Sequence, residues 1–108
     1  MDCFEPKMKI GDKLKSQFEL SFTAEQRLLF KSLAEVIFKD AINMLISSSK
    51  IGYDSIDINL DVEHLYKRYM FNKSLYKEAG VRRELEKLAE AEDLKIYPYG
   101  PAKILITF

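Results

Sequence analysis

An α+β domain, with helices outweighing strands, is what this sequence predicts, and three observations predict it. A capped apolar stripe of helical period begins at residue 24 and runs into the forties. A short alternating segment, Ile56-Asp-Ile-Asn-Leu60, follows it. Residues 95–108 alternate on either side of a Pro98-Tyr-Gly-Pro101 tip and read as a hairpin.

With 108 residues, 47% of them apolar, the chain is one domain with ample material for a single core. Its formal charge is zero, from 17 basic and 17 acidic residues, which excludes a binder held on nucleic acid by bulk charge alone. Cys3 is the one cysteine, so no disulfide forms within the chain, which suits a reducing cytoplasm. Met1-Asp-Cys-Phe-Glu-Pro6 is not a signal peptide. The apolar segment Leu28–Ile46 is broken by Lys31, Glu35, Lys39 and Asp40, which excludes a membrane span.

Residues 1–15 read as an N-terminal arm, with a Gly11-Asp12 turn signal among Lys7, Lys9, Lys13 and Lys15. Residues 16–108 form the domain. Ser16–Phe22 alternates, with Phe18, Leu20 and Phe22 on one side, and predicts an extra N-terminal strand. Thr23-Ala-Glu-Gln26 is a capping box that starts a helix from about Ala24 to Ser47. Its stripe is Phe30, Leu33, Ile37, Ala41, Met44 and Leu45. Leu28, Val36, Phe38, Ile42 and Ile46 lie off the stripe, and a helix apolar on more than one face is either sunk in a core or pressed against a partner. A domain of this size can hardly surround a helix, which favours the partner. Leu28, Val36, Phe38 and Ile42 are therefore expected at a homodimer contact.

After a Ser47–Gly52 loop, Ile56, Ile58 and Leu60 predict a strand. Asp61 then caps a helix reaching about Phe71, with Val62, Leu65 and Tyr69 inward. Leu75 and Ala79 are out of phase with Val81, Leu85, Leu88 and Ala89 by about a third of a turn, with Gly80 at the join. One helical turn at 74–79, a bend and a main helix at 81–94 fit that shift, as does one helix kinked at Gly80. Lys95–Tyr97 and Lys103–Thr107 complete a hairpin. Helix, strand, helix, helix and hairpin in this order are the winged helix, three main helices with a short strand after the first and a C-terminal wing.

Between His64 and Arg83 lie Lys67, Arg68, Lys73, Lys77, Arg82 and Arg83, against the single acid Glu78. On the third helix Arg82, Arg83 and Lys87 are placed to read the major groove, Arg82 or Arg83 bidentate to guanine and Glu86 accepting from cytosine. Bases at a helix start oppose the macrodipole, so helix stability alone does not select them. Lys67, Arg68, Lys73, Lys77 and Lys103 would contact phosphates. Tyr97 and Tyr99 read as cover for a core edge.

Catalytic constellations are missing from the sequence: His64 is isolated, and there is no glycine-rich phosphate loop, paired cysteine motif or nucleophile elbow. Asp54, Asp57, Asp61 and Glu63 lack calcium-loop spacing, so neither a metal nor a cofactor is expected. The reading is a binding protein and not an enzyme.

Leu20-Ser-Phe-Thr-Ala-Glu-Gln-Arg-Leu-Leu-Phe30 resembles the opening of the first winged-helix domain of plasmid replication initiator (Rep) proteins, with its short strand, polar Glu-Gln step and leucine-rich helix. Ile56–Leu65 resembles their next strand and helix, and Tyr76–Leu85 the approach to their third helix. The likeness spans residues 17–108 as a pattern of apolar positions. It implies binding of double-stranded DNA by a dimer, without a catalytic residue. In that family two winged helices act together, whereas this chain carries one. The sequence thus points to a transcription regulator or replication-initiation factor in the cytoplasm. The alternative is a protein-interaction module on the same fold, such as a phage- or plasmid-encoded inhibitor of a host protein. The acidic Glu84–Asp93 segment and the zero net charge favour that alternative.

Overall fold

Capping chemistry sets the first boundaries. The computed structural model describes residues 9–108. Helix α2 spans Ala24–Ser49. Its N-terminus is closed as the sequence predicts: the Thr23 hydroxyl accepts from the Gln26 N–H (3.1 Å), and the Gln26 carboxamide oxygen accepts from the Thr23 N–H (3.0 Å). Strand β1 covers Ser55–Asn59. Asp61 then accepts from the N–H groups of Glu63 and His64 and starts α3, Val62–Tyr69.

A single 3₁₀ turn at Lys73–Leu75 leads to α4, Glu78–Ala91, and β2 (Lys95–Pro98) and β3 (Lys103–Thr107) end the chain. The three strands form one antiparallel sheet in the order β1-β3-β2. Ile56 pairs with Ile106, Ile58 with Ile104, and Ile96 with Ile106. Over the described residues the class is α+β, four α-helices with a small three-stranded sheet.

One element differs from the sequence reading. Residues 16–22 do not form a strand; helix α1 spans Ile10–Leu20 and crosses the expected junction at residues 15 and 16. The alternation of Phe18, Leu20 and Phe22 is not a burial pattern, because Leu20 points to solvent. Ile10, Leu14 and Phe18 recur every four residues, the helical spacing. A helix also satisfies its own backbone groups, whereas a strand here would need a sheet edge. Ser21 ends α1, donating both its hydroxyl (2.6 Å) and its N–H (3.1 Å) to the Phe18 carbonyl.

The core lies between α2, the sheet and α4. Phe30, Leu33, Ala34, Ile37, Ala41 and Leu45 of α2 pack with Ile56, Leu60, Leu65, Val81, Leu85, Ile104 and Ile106. Met44, expected on the α2 stripe, is exposed and lines an open groove with Ile58, His64 and Tyr69. Tyr76 donates its hydroxyl to the Leu60 carbonyl (2.5 Å), and burial pushes its phenol pKa up.

Gly80 is not the hinge that the phase shift implied. It lies inside the first turn of α4 and is buried; a Cβ there would sit 2.3 Å from the Phe30 ring. Glycine at this position lets α4 close on α2, and the phase break marks the 3₁₀ turn before it. The radius of gyration is 15.8 Å, against about 13 Å for a compact chain of this length. The excess fits α1, which buries no residue.

Replacing Gly80→Ala raises helix propensity but drives a methyl into a buried aromatic ring. Urea unfolding is expected to show a net loss of about 1–3 kcal/mol. A stability gain would show that the close approach of the two helices is not required.

Candidate functional site

Of the eight basic side chains expected on DNA, four are ion-paired to carboxylates among the described residues. On α4, Arg82 donates to the Glu78 carboxylate at 2.5 Å, one turn earlier. Lys87 bonds Glu84 at 3.0 Å and also the carboxylate of Glu19 on α1. The Lys87 hydrogen bond holds the Glu19 carboxyl below its ordinary range, and the same bond raises the Lys87 ammonium. The Nε atoms of Arg82 and Arg83 are buried without a protein partner.

On α3, Arg68 donates to Asp40 of α2 (3.3 Å) and to the Tyr69 hydroxyl (3.1 Å). Lys73 bonds Glu63 (3.1 Å) and lies 4.6 Å from the centre of the Tyr66 ring. Lys67, Lys77 and Lys103 are exposed and enter no ion pair among the described residues. Beyond Arg82, the outward face of α4 carries exposed Glu86 and Glu90, and exposed Asp93 follows just after its end.

The residues expected at a dimer contact also separate. Leu28 and Val36 are exposed on α2, while Phe38 and Ile42 are half-buried within the chain. Phe38 packs against the core, and Ile42 lines an apolar groove with Leu45, Ile46, Leu94 and Phe108.

A different site emerges where α1 meets α2 and α4. A groove of about 410 Å³ opens there, with Phe18, Phe22, Phe30, Gly80 and Leu88 as its apolar lining. The rings run edge to face, Phe18 to Phe22 with centroids 5.1 Å apart and Phe22 to Phe30 at 4.9 Å. Charges of both signs surround them: Arg27, Lys31, Arg83 and Lys87 with Glu19, Glu35 and Glu84. Arg27 is held by the Phe22 carbonyl at 2.8 Å. An apolar trough with alternating rim charges has the chemistry to take an amphipathic peptide segment. It shows neither a nucleophile paired with a base nor a phosphate cradle.

The sequence reading missed this groove because it placed residues 16–22 in a sheet. The detectable signal was the four-residue repeat of Ile10, Leu14 and Phe18.

Comparison with family models, with curated proteins and with solved structures gave no significant match. Among the described residues, no helix is long and apolar enough to cross a membrane, and no three His, Cys, Asp or Glu side chains are grouped to hold a metal ion.

Asp40 ties α3 to α2, accepting at 2.5 Å from Tyr69 and at 3.3 Å from Arg68. The Tyr69 hydrogen bond is the larger cause of its lowered carboxyl pKa. A carboxylate depressed below its unfolded value, about 3.9, stabilises the fold fully above that pH and progressively less as pH falls through the folded value. Asp40→Asn is therefore expected to lower the urea midpoint at neutral pH and to flatten its decline in acid. Parallel pH profiles for the two proteins would contradict the linkage.

Proposed function

We propose that this chain is a winged-helix protein-interaction module, docking a partner segment in the groove between α1, α2 and α4. The winged-helix reading rests on connectivity: helix, strand, helix, helix, then a hairpin, with β3 between β1 and β2. On that reading α2, α3 and α4 are the three main helices, β2–β3 is the wing and α1 is an addition. Tyr76–Leu85, which resembles the approach to the third helix of replication initiators, leads into α4.

One observation carries the docking reading: acids of the same chain already occupy four of the eight basic residues that would face DNA. Arg82, Lys87, Arg68 and Lys73 are each bonded to a carboxylate. A surface pair of this kind is worth about 0–1 kcal/mol, so a phosphate can displace a single one. Displacement leaves the carboxylate beside the phosphate, however, and a recognition helix would also carry Glu86 and Glu90 toward the backbone. That repulsion recurs along the helix. A partner protein with both charge signs meets no such opposition and gains the aromatic lining.

Duplex DNA is the second reading. It is favoured by the wing and by exposed Lys67, Lys77 and Lys103, which stand clear of the described ion pairs.

Fluorescence anisotropy with a random-sequence duplex pool, titrated with salt, separates the two. The docking reading expects binding no tighter than non-specific contact, about 10⁻⁴–10⁻⁶ M, with a shallow salt slope. Tight binding that weakens by orders of magnitude with salt, and that Arg82→Ala with Arg83→Ala reduces, would restore the DNA reading.

A further inference from the structure

Helix α1 displays its apolar side to solvent. Ile10 is 71% exposed and Leu14 is 56% exposed, while Phe18, one turn on, reaches the groove described above. Burying a side chain of this size stabilises by about 1.5–3 kcal/mol, so an amphipathic helix holding two of them in water is missing a contact on that side. Lys9 and Lys13, one turn apart, flank this stripe on one side.

The same molecule carries a surface of complementary chemistry at a separate place. Where the C-terminal half of α2 meets the end of α4 and the start of β2, Ile42, Leu45, Ile46, Leu94 and Phe108 line an open apolar groove of about 300 Å³. Ile46 is 50% exposed and Phe108 is 62% exposed. The groove includes Glu92, with Asp93 next to it, and both carboxylates are exposed. An apolar stripe edged by lysines and an apolar groove edged by acids match in both respects.

We propose that the occupant of this groove is α1 of a second copy of the chain. Ile10 and Leu14 of one copy lie on Ile46, Leu94 and Phe108 of the other, and Lys9 and Lys13 face Glu92 and Asp93. Each copy supplies one stripe and one groove, so a two-fold dimer makes the contact twice and leaves neither stripe open. This contact is independent of the docking groove, which uses Phe18 and Phe22. Of the residues first expected at a subunit interface it retains Ile42 and dispenses with Leu28, Val36 and Phe38.

Sedimentation equilibrium on the full chain tests it, with circular dichroism on every variant to confirm the fold. The wild type is expected to dimerise. Leu14→Glu alone and Ile46→Glu alone should each raise the dimer dissociation constant roughly tenfold or more. Mixing these two variants should recover a heterodimer, which keeps one intact contact. Lys13→Glu should weaken the dimer, and adding Glu92→Lys to the same chain should restore it. With Cys3→Ser as background, Leu14→Cys and Ile46→Cys together should oxidise to a disulfide between copies. A wild type that stays monomeric, a dimer indifferent to Leu14→Glu, or cross-links joining position 14 only to position 14 would each overturn the proposal.

Discussion

The close approach of α2 and α4, made possible by the missing side chain at Gly80, is the constraint from which the rest of the structure follows. Phe30 fills the space a Cβ would take, and Phe22 stacks on its edge. Phe22 and Phe18 in turn carry the aromatic contact from Phe30 to the C-terminal end of α1, where Glu19 meets Lys87. A wider spacing would leave Phe30 loosely packed and α1 without a seat. The aromatic groove and the Lys87–Glu19 pair therefore share one origin in packing.

Much of the fold was legible locally. Thr23 and Gln26 announce a helix start within four residues, and Asp61 announces another. The alternation of Ile56 and Ile58, and the proline-bounded tip between β2 and β3, reflect the two-residue period of a strand. These features read correctly because their physics is contained in a few neighbouring residues. Helix α1 fails that test. Its alternation spans seven residues and its helical repeat nine, so the shorter window found a pattern that burial does not support.

The candidate site was legible only in part. Sequence reading found the basic cluster but had no means of finding what neutralises it. Glu19 and Lys87 are 68 residues apart, and Asp40 and Arg68 are 28 apart. A count of charges within a window therefore misjudges the field that a partner meets: Glu78 is the one acid between His64 and Arg83, yet Glu19, Asp40, Glu63 and Glu84 converge from elsewhere in the chain or its flanks. Zero net charge was the one global hint, and it agrees with this internal pairing.

Helix α1 lies against α4 at the groove, where Glu19 pairs with Lys87. The most direct measurement is an NMR pH titration of the Glu19 carboxyl in the free chain. Bonded to Lys87, it is expected to titrate below the ordinary glutamate range, and Lys87→Ala should return it to that range. An ordinary value in the wild type, unmoved by Lys87→Ala, would mean that α1 does not cover α4 and that its basic face is open to solvent.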